Sequence, residues 1–532
     1  MKTMPKSFKR ILALAAVFLI IGGAGFAQAE DEAIDLGQII VTATKTEKEI
    51  KNVASSVEVI TREEIEASAA DNIDDLIGQY AGVYAERENG FLDWKGGLNL
   101  RGLDTGDGHT LVLVDGMLLN DGDSGSANFN TINMDNVERV EIVRGPGSTL
   151  YGADAMGGVI NIITRKPSRE LTGKMSVSGG ALGTQRQKFD VSGGSDRLGL
   201  LFSASNMRSG GFNPSIPANQ VAGAEDTTVT EKNYYLKAVS HVGGADSTIS
   251  FSGMLYDDER HQGQVERPDV NPHGNQLSFD TRRFQLGYSN PGQKFSARTS
   301  AFYNLENYER YWDKNAGSNK YNSKKVDSDR LDYGADADVT WKMDRHEVTA
   351  GVSWSVADLD AIDDYFYTGN APTVDPDDDG TNGGKMKSVS AYLHDIAYLS
   401  DNIDVEMGLR FNSSKLEGVW YATSSTNVQM LDGGDWDDLN PRIAFNIHTG
   451  ANTKVRVGYG KAFHAPLLEH LTLTMVRKRR GAVRGEPGPR TRGNRHLRNR
   501  VRPHRQTLFH GTDLLLQRRG RLRGLHGPER GP

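Results

Sequence analysis

Apolar residues in this chain recur with a period of two far more than with a period near 3.6, and they do so in two styles. Between Asn136 and Lys166, the runs VERVEIV and GVINIIT place Val140 and Ile142, then Val159, Ile160 and Ile162, so each predicts a half- or fully buried strand. Gly145-Pro146-Gly147 between them demands a turn, and Gly157-Gly158 is expected to end a small-residue helix. From Leu171 onward the alternation lengthens. Leu331, Tyr333, Ala335, Ala337, Val339 and Trp341 share one face of a strand, with Asp332, Asp336 and Asp338 on the other. Glu347–Val356 and Ile403–Phe411 repeat the arrangement, and about thirteen such strands precede residue 475. Charge set so regularly opposite apolar residues does not suit the core of an aqueous enzyme. It suits a transmembrane antiparallel β-barrel with lipid outside and water within. The polar stretches Asn206–Glu231, Asp257–Ser278 and Asp358–Lys387 are expected as its external loops.

Ahead of the barrel, the pattern predicts an α+β domain over residues 48–166. Ser56–Ile60 reads as a strand, and Thr61-Arg62-Glu63-Glu64 as a capping box opening a helix. A second helix is expected over Asn72–Tyr80, capped by Asp71 and stopped at Gly82. Residues 1–29 read as a cleaved secretory signal: Lys2, Lys6, Lys9 and Arg10 precede the apolar run Ile11–Ile21, and Ala27-Gln28-Ala29 supplies small residues for cleavage.

Composition sharpens this picture. The chain has no cysteine, which removes disulfides and thiolate metal sites. Its formal charge of −7 combines +14 over residues 476–532 with −21 elsewhere, and that basic end also lacks Tyr and Trp. No nucleophile–base pair, phosphate loop or zinc constellation stands out, so an enzyme is not expected.

The Asn136–Lys166 stretch, with LNLRG (Leu98–Gly102) and TLVLVDG (Thr110–Gly116) before it in order, resembles the plug domain of TonB-dependent outer-membrane receptors. LNPRIAFNI (Leu439–Ile447) and VRVGYGKAFHAPLLEHL (Val455–Leu471) are similar to the barrel of that family. The resemblance implies an outer-membrane receptor that takes up a ferric siderophore, driven by TonB with ExbB and ExbD. A cobalamin or haem receptor is the alternative, the former because SGSANF is similar to cobalamin receptors, the latter because His464 sits in a comparable FHAP box. The segment 30–47 then holds the TonB box, with Ile39, Ile40, Val41, Thr42, Ala43 and Thr44 lending a strand to TonB by β-augmentation. The spacing from cleavage site to box leaves no room for an extra signalling domain. Two polar loops, Glu86–Gly97 and Asn120–Asn130, correspond to plug-apex loops that touch substrate in the family. They nominate Phe91, Trp94, Asn120, Asp121, Asp123, Ser124, Ser126 and Asn128. Arg101 and Arg144 match plug arginines that pair with barrel glutamates.

Asp375, Asp377, Asp379 and Gly380 open like a calcium loop, alternate carboxylates converging on a hard cation; Met386 stands where an EF-hand has Glu. No cofactor other than this calcium is expected. Outside residues 171–470, the basic tail 471–532 has the look of a nucleic-acid arm, but a secreted barrel has no use for one, and no nucleic-acid partner is expected. Reading its codons from their second base permits GNPDLAPE at Gly485–Arg492, TYEIGF at His496–Val501 and YNDVDDFV at Leu516–Arg523. These are similar to distal-barrel motifs of the family in the right order, so the tail is expected to be a frameshift product. It is expected to contribute no strand, leaving the barrel about nine strands short of roughly 22 and the chain without transport.

Overall fold

The computed structural model describes residues 40–41, 48–49, 56–87, 92–105, 108–122, 124–145, 147–152, 155–212, 226–243, 247–262, 276–313, 323–366, 380–422, 428–430, 433–450, 453–462, 467 and 513–518. Residues 1–39, Pro146, His464 and most of the basic tail lie outside these residues.

The plug is built on a five-stranded mixed sheet. Its strands are β1 (Ser56–Ile60), β2 (Thr110–Val114), β3 (Met117–Leu118), β4 (Val137–Arg144) and β5 (Gly158–Thr164), in the order β1-β4-β5-β2-β3. Ile160 is the hub: it pairs antiparallel with Ile142 and parallel with Val112. Ile142, Ile160 and Val112 pack on one face with Ile60, Leu76 and Phe129, while Val143, Val159 and Leu111 pack on the other. Burial on both faces explains why these strands are nearly continuous apolar runs. The β2–β3 hairpin turns at Asp115 (φ 49°) and Gly116 (φ 84°), the left-handed pair that a tight hairpin requires.

Helix α1 (Arg62–Ala67) starts on the predicted capping box, with Thr61 and Glu64 each bonding the other's backbone. Helix α2 is shorter than the pattern predicts. It spans Ile73–Ile77, and Asn72 rather than Asp71 occupies the cap, with no side-chain bond. Its C-cap, Gly78, lies against the next strand, where a Cβ would sit 2.5 Å from Ala85 Cβ. Helix α3 (Ser148–Tyr151) ends at Gly152 (φ 93°), not at Gly157-Gly158. Gly158 instead begins β5.

Thirteen strands follow in a continuous antiparallel meander: β6 (Thr172–Gly179), β7 (Gln185–Gly194), β8 (Leu198–Ser209), β9 (Thr227–His241), β10 (Thr248–Gln262), β11 (Gln276–Asn290), β12 (Phe295–Asp313), β13 (Ser323–Lys342), β14 (His346–Phe366), β15 (Gly380–Ser400), β16 (Ile403–Ala422), β17 (Gly434–Gly450) and β18 (Thr453–Gly460). Phe251, Leu286, Trp354, Leu393 and Phe411 are exposed on the outside, while Thr281, Glu306, His394 and Asn440 are buried within. The strands run well into the segments expected as loops, to Gln262 and Phe366 for example. Cross-strand pairs such as Lys232–Asp257 (2.6 Å) and Lys385–Asp358 (2.7 Å) extend the ladder there. The tail departs from expectation as well: Asp513–Arg518 pairs antiparallel with β18, since backbone pairing needs no particular side chains. Among the described residues the sheet does not return to β6. No helix among them is long and apolar enough to cross a membrane.

Candidate functional site

Two loops of the plug, ending in Gly97 and Asn130, meet the inner wall at a cluster of charges. Lys95 Nζ donates to Asp121 Oδ2 (3.0 Å) and to Ser126 Oγ (2.8 Å), and Ser126 Oγ also reaches Asp121 Oδ2 (3.1 Å). From β13, Arg330 comes within 3.5 Å of the same carboxylate and 3.0 Å of Glu306. Burial opposes ionisation of Asp121, but the charges of Lys95, Arg330 and Arg283 outweigh it and hold its carboxyl below the usual range. The next peptide is tied as well, Gly122 N donating to Asp332 Oδ2 at 3.1 Å.

Trp94, expected as an exposed substrate contact, instead packs on the wall. Its ring stacks with Phe279 and lies beside Tyr308, each at 6.4 Å, and Arg310 sits 5.5 Å from its centroid. Covering a large ring in this way removes the cost of exposing it. Asn120 is buried and bonds only to plug backbone: it accepts from Val112 N and donates to the carbonyls of Thr110 and Gly125. Asn128 is likewise buried and caps the turn at Asn130 N. Ser124 bonds Ser126 (2.8 Å). Phe91 and Asp123 lie outside the described residues.

Arg144 does not pair with a barrel glutamate. It reaches Glu58 (3.4 Å) and the Ala81 carbonyl (2.8 Å), both within the plug. Arg101 sits exposed in a left-handed turn (φ 56°). Other residues tie plug to wall: Asp135 to Lys188 (2.6 Å), Asp71 to Arg186 (3.0 Å), and Asp115 to Lys237 (2.9 Å). Asp135 is held below its usual range: Lys188, by hydrogen bond and charge, overcomes the burial that pushes the other way. Asp74 shows the reverse balance, since burial raises its carboxyl in spite of Arg87 at 2.7 Å. The pairs that tie plug to wall have no local sequence signal, because Asp135–Lys188, Asp71–Arg186, Asp115–Lys237 and Asp121–Arg330 join residues far apart in the chain. The nearest hint is Asp115 in the VDG turn.

Farther toward the N-terminus, Ile40–Val41 forms a two-residue strand against Lys48–Glu49. Ile39, Thr42, Ala43 and Thr44 are not among the described residues, and neither are Asp375, Asp377 and Asp379. No group of three metal-binding side chains occurs among the described residues.

A family model described as the TonB-dependent receptor plug domain matches residues 49–159. Another, described as the TonB dependent receptor-like β-barrel, matches residues 233–498. The vitamin B12 transporter BtuB of Photobacterium profundum is 34% identical over 186 residues, 35% of this chain and 30% of that protein. BtuB of Vibrio cholerae is 37% identical over 147 residues, 28% of this chain and 24% of that one. The matched stretch thus spans less than a third of either relative. Among solved structures, the ferric citrate transporter FecA in its unliganded form superposes with a TM-score of 0.63 at 16% identity, covering 78% of this chain and 64% of that one. The ferric yersiniabactin uptake receptor FyuA from Yersinia pestis gives 0.59 at 18%, over 77% and 65%. At such identities the likeness is one of fold.

Proposed function

Because the chain belongs to the TonB-dependent receptor family of the outer membrane, we propose that the receptor it represents, with its distal frame restored, serves the import of a metal chelate across that membrane. Work arrives at Ile39–Thr44 from TonB, acting with ExbB and ExbD. The observation that carries this reading is how the plug is seated. It sits against the wall through separate ion pairs and single hydrogen bonds, at Lys188, Lys237, Arg330 and Arg410 among others. A passive pore has no use for a plug. A plug held by separate polar contacts can be released one contact at a time, and the half-exposed Asp135–Lys188 pair is individually weak.

The cargo reading moves from that of the sequence alone, which favours a ferric siderophore. Cobalamin is placed first here, since the relatives at 34% and 37% identity are vitamin B12 transporters. The ferric-chelate receptors share only the fold, at 16% and 18%. Ferric siderophores are the second reading. The purified protein in detergent, titrated with cyanocobalamin and with a panel of ferric siderophores, decides between them. Saturable cyanocobalamin binding supports the first; binding of a ferric chelate alone replaces it with the second. The cleaved signal and the frameshifted tail belong to the same proposal, and sequencing the DNA through codons 470–532 tests the latter.

A further inference from the structure

Arg410, on the inner face of β16, is buried, and its guanidinium is spread over neutral partners. Nε donates to Asn412 Oδ1 (2.9 Å), Nη1 to the Leu150 carbonyl (3.2 Å), and Nη2 to the hydroxyls of Ser353 (2.9 Å) and Ser390. The centroid of the Tyr392 ring lies 5.3 Å away. Other arginines of the wall hold carboxylates: Arg298 meets Asp338 at 3.1 Å, Arg330 meets Glu306 at 3.0 Å and Arg442 meets Glu406 at 3.3 Å. Among the described residues no carboxylate comes within ion-pair distance of Arg410. The carboxylates in its neighbourhood are engaged elsewhere: Asp121 by Lys95 and Arg330, Asp438 by Lys461 (2.5 Å), and Asp336 by the Ser300 hydroxyl.

A guanidinium does not deprotonate in proteins, so burial cannot neutralise it, and burying a charge without its opposite is costly. Neutral oxygens satisfy its hydrogens but not its charge. Beside it lies a cavity of about 190 Å³, lined by Arg410, Asn412, Ser353, Ser388 and Ser390 of the wall and Tyr151 of the plug. At about 30 Å³ per water, this is room for one tetrahedral oxyanion and a few waters. Further donors line it. Asn412 Nδ2 is buried without a hydrogen-bond partner, and the serine hydroxyls, now paired as Ser353–Ser390 (2.6 Å) and Ser388–Ser414 (2.9 Å), can rotate to donate. On the plug side a Cβ at Gly152 would lie 3.0 Å from Arg410 Nη2, so bare backbone closes over the charge. We infer that this cavity binds a small inorganic oxyanion, of the phosphate or sulfate type, as the counter-ion of Arg410. Such an ion accepts charge-assisted bonds from the guanidinium and from Asn412 together. It is a resident ion and not cargo, so the inference stands apart from the import reading. Both neighbours of β16, namely β15 and β17, are in place, so the site does not depend on closure of the barrel.

The test is equilibrium dialysis of the full chain, folded in detergent in a zwitterionic buffer, against radiolabelled inorganic phosphate. Saturable binding of one phosphate per chain is expected, with sulfate competing and the urea-unfolded chain binding none. Arg410→Gln keeps an amide donor but not the charge, and should weaken binding roughly tenfold or more. Arg282→Gln removes an arginine that is half exposed and paired with Asp280 (2.8 Å), and should leave binding unchanged. Ser390→Asp guards against a loss that merely reports misfolding. Its carboxylate would grow into the cavity beside Arg410 Nη2 and take the anion's place. This variant should lose phosphate binding and yet unfold at a higher urea concentration than the parent in phosphate-free buffer. Absence of saturable binding by the parent would overturn the inference. So would Arg410→Gln binding phosphate as the parent does, or Ser390→Asp retaining phosphate or unfolding at lower urea than the parent.

Discussion

Lys95 and Asp121 meet at 3.0 Å with both side chains almost wholly buried, and Arg330 of the wall approaches the same carboxylate oxygen at 3.5 Å. The apex of the plug is thereby bonded to itself and to the barrel through one carboxylate.

Removing that charge leaves Lys95, Arg330 and Arg283 under cover with one fewer carboxylate beside Glu306. Asp121→Asn should therefore destabilise the seated plug by about 3–5 kcal/mol, as expected for breaking a buried pair on one side. Urea denaturation of the detergent-folded protein, followed by Trp94 fluorescence, measures it; a loss below about 1 kcal/mol would contradict this account of the site. The pH dependence has a definite sign. Asp121 and Asp135 have carboxyls lowered from 3.8, so their contribution is complete well above 3.8 and is lost as pH falls through the lowered values. Asp74, raised from 3.8, acts oppositely: its contribution is complete below 3.8 and is lost as pH rises through the raised value.

Gly158 carries a backbone requirement independent of charge. Its φ is +148°, and an added Cβ would sit 2.1 Å from the Val143 carbonyl oxygen. Gly158→Ala should open β5 from β4 and make the plug protease-sensitive, at a cost of about 4 kcal/mol or more. A variant as resistant as the parent would show that β5 tolerates a side chain there.

If calcium fills the Asp375–Gly380 loop, alternate carboxylates should order it and strengthen cargo binding on the outer face. Cyanocobalamin affinity should be higher with calcium than with chelator, and Asp377→Ala should abolish the difference. Equal affinities under both conditions mean a solvated acidic loop.

Period-two alternation made the barrel legible, because lipid and water impose opposite demands on successive residues of a strand. The Thr61–Glu64 box was legible for a different reason: its partners lie three residues apart. What pattern could not supply was contact across the lumen. Trp94 reads as an exposed loop residue until Phe279 and Tyr308 are brought to it by the folded wall. Arg144 resembles a barrel-pairing arginine but stands where Glu58 and Ala81 are nearer. The pattern overstates α2, which Gly78, lying against Ala85, caps after five residues.

On the proposed function, work delivered at the N-terminal strand moves cargo past the plug. In the structure Ile40–Val41 is paired with Lys48–Glu49, so on the proposed coupling TonB would replace that pairing with its own strand. Proline at position 40 removes a backbone donor and fixes φ, which strand addition does not tolerate. The most direct measurement is uptake of labelled cyanocobalamin by cells that lack their own receptor and carry this one with its distal frame restored. Surface binding is measured in parallel on the same cells. Ile40→Pro is expected to leave surface binding unchanged and to reduce uptake to the level of cells whose proton gradient is collapsed. Uptake by the Ile40→Pro variant at the parental rate would contradict the account.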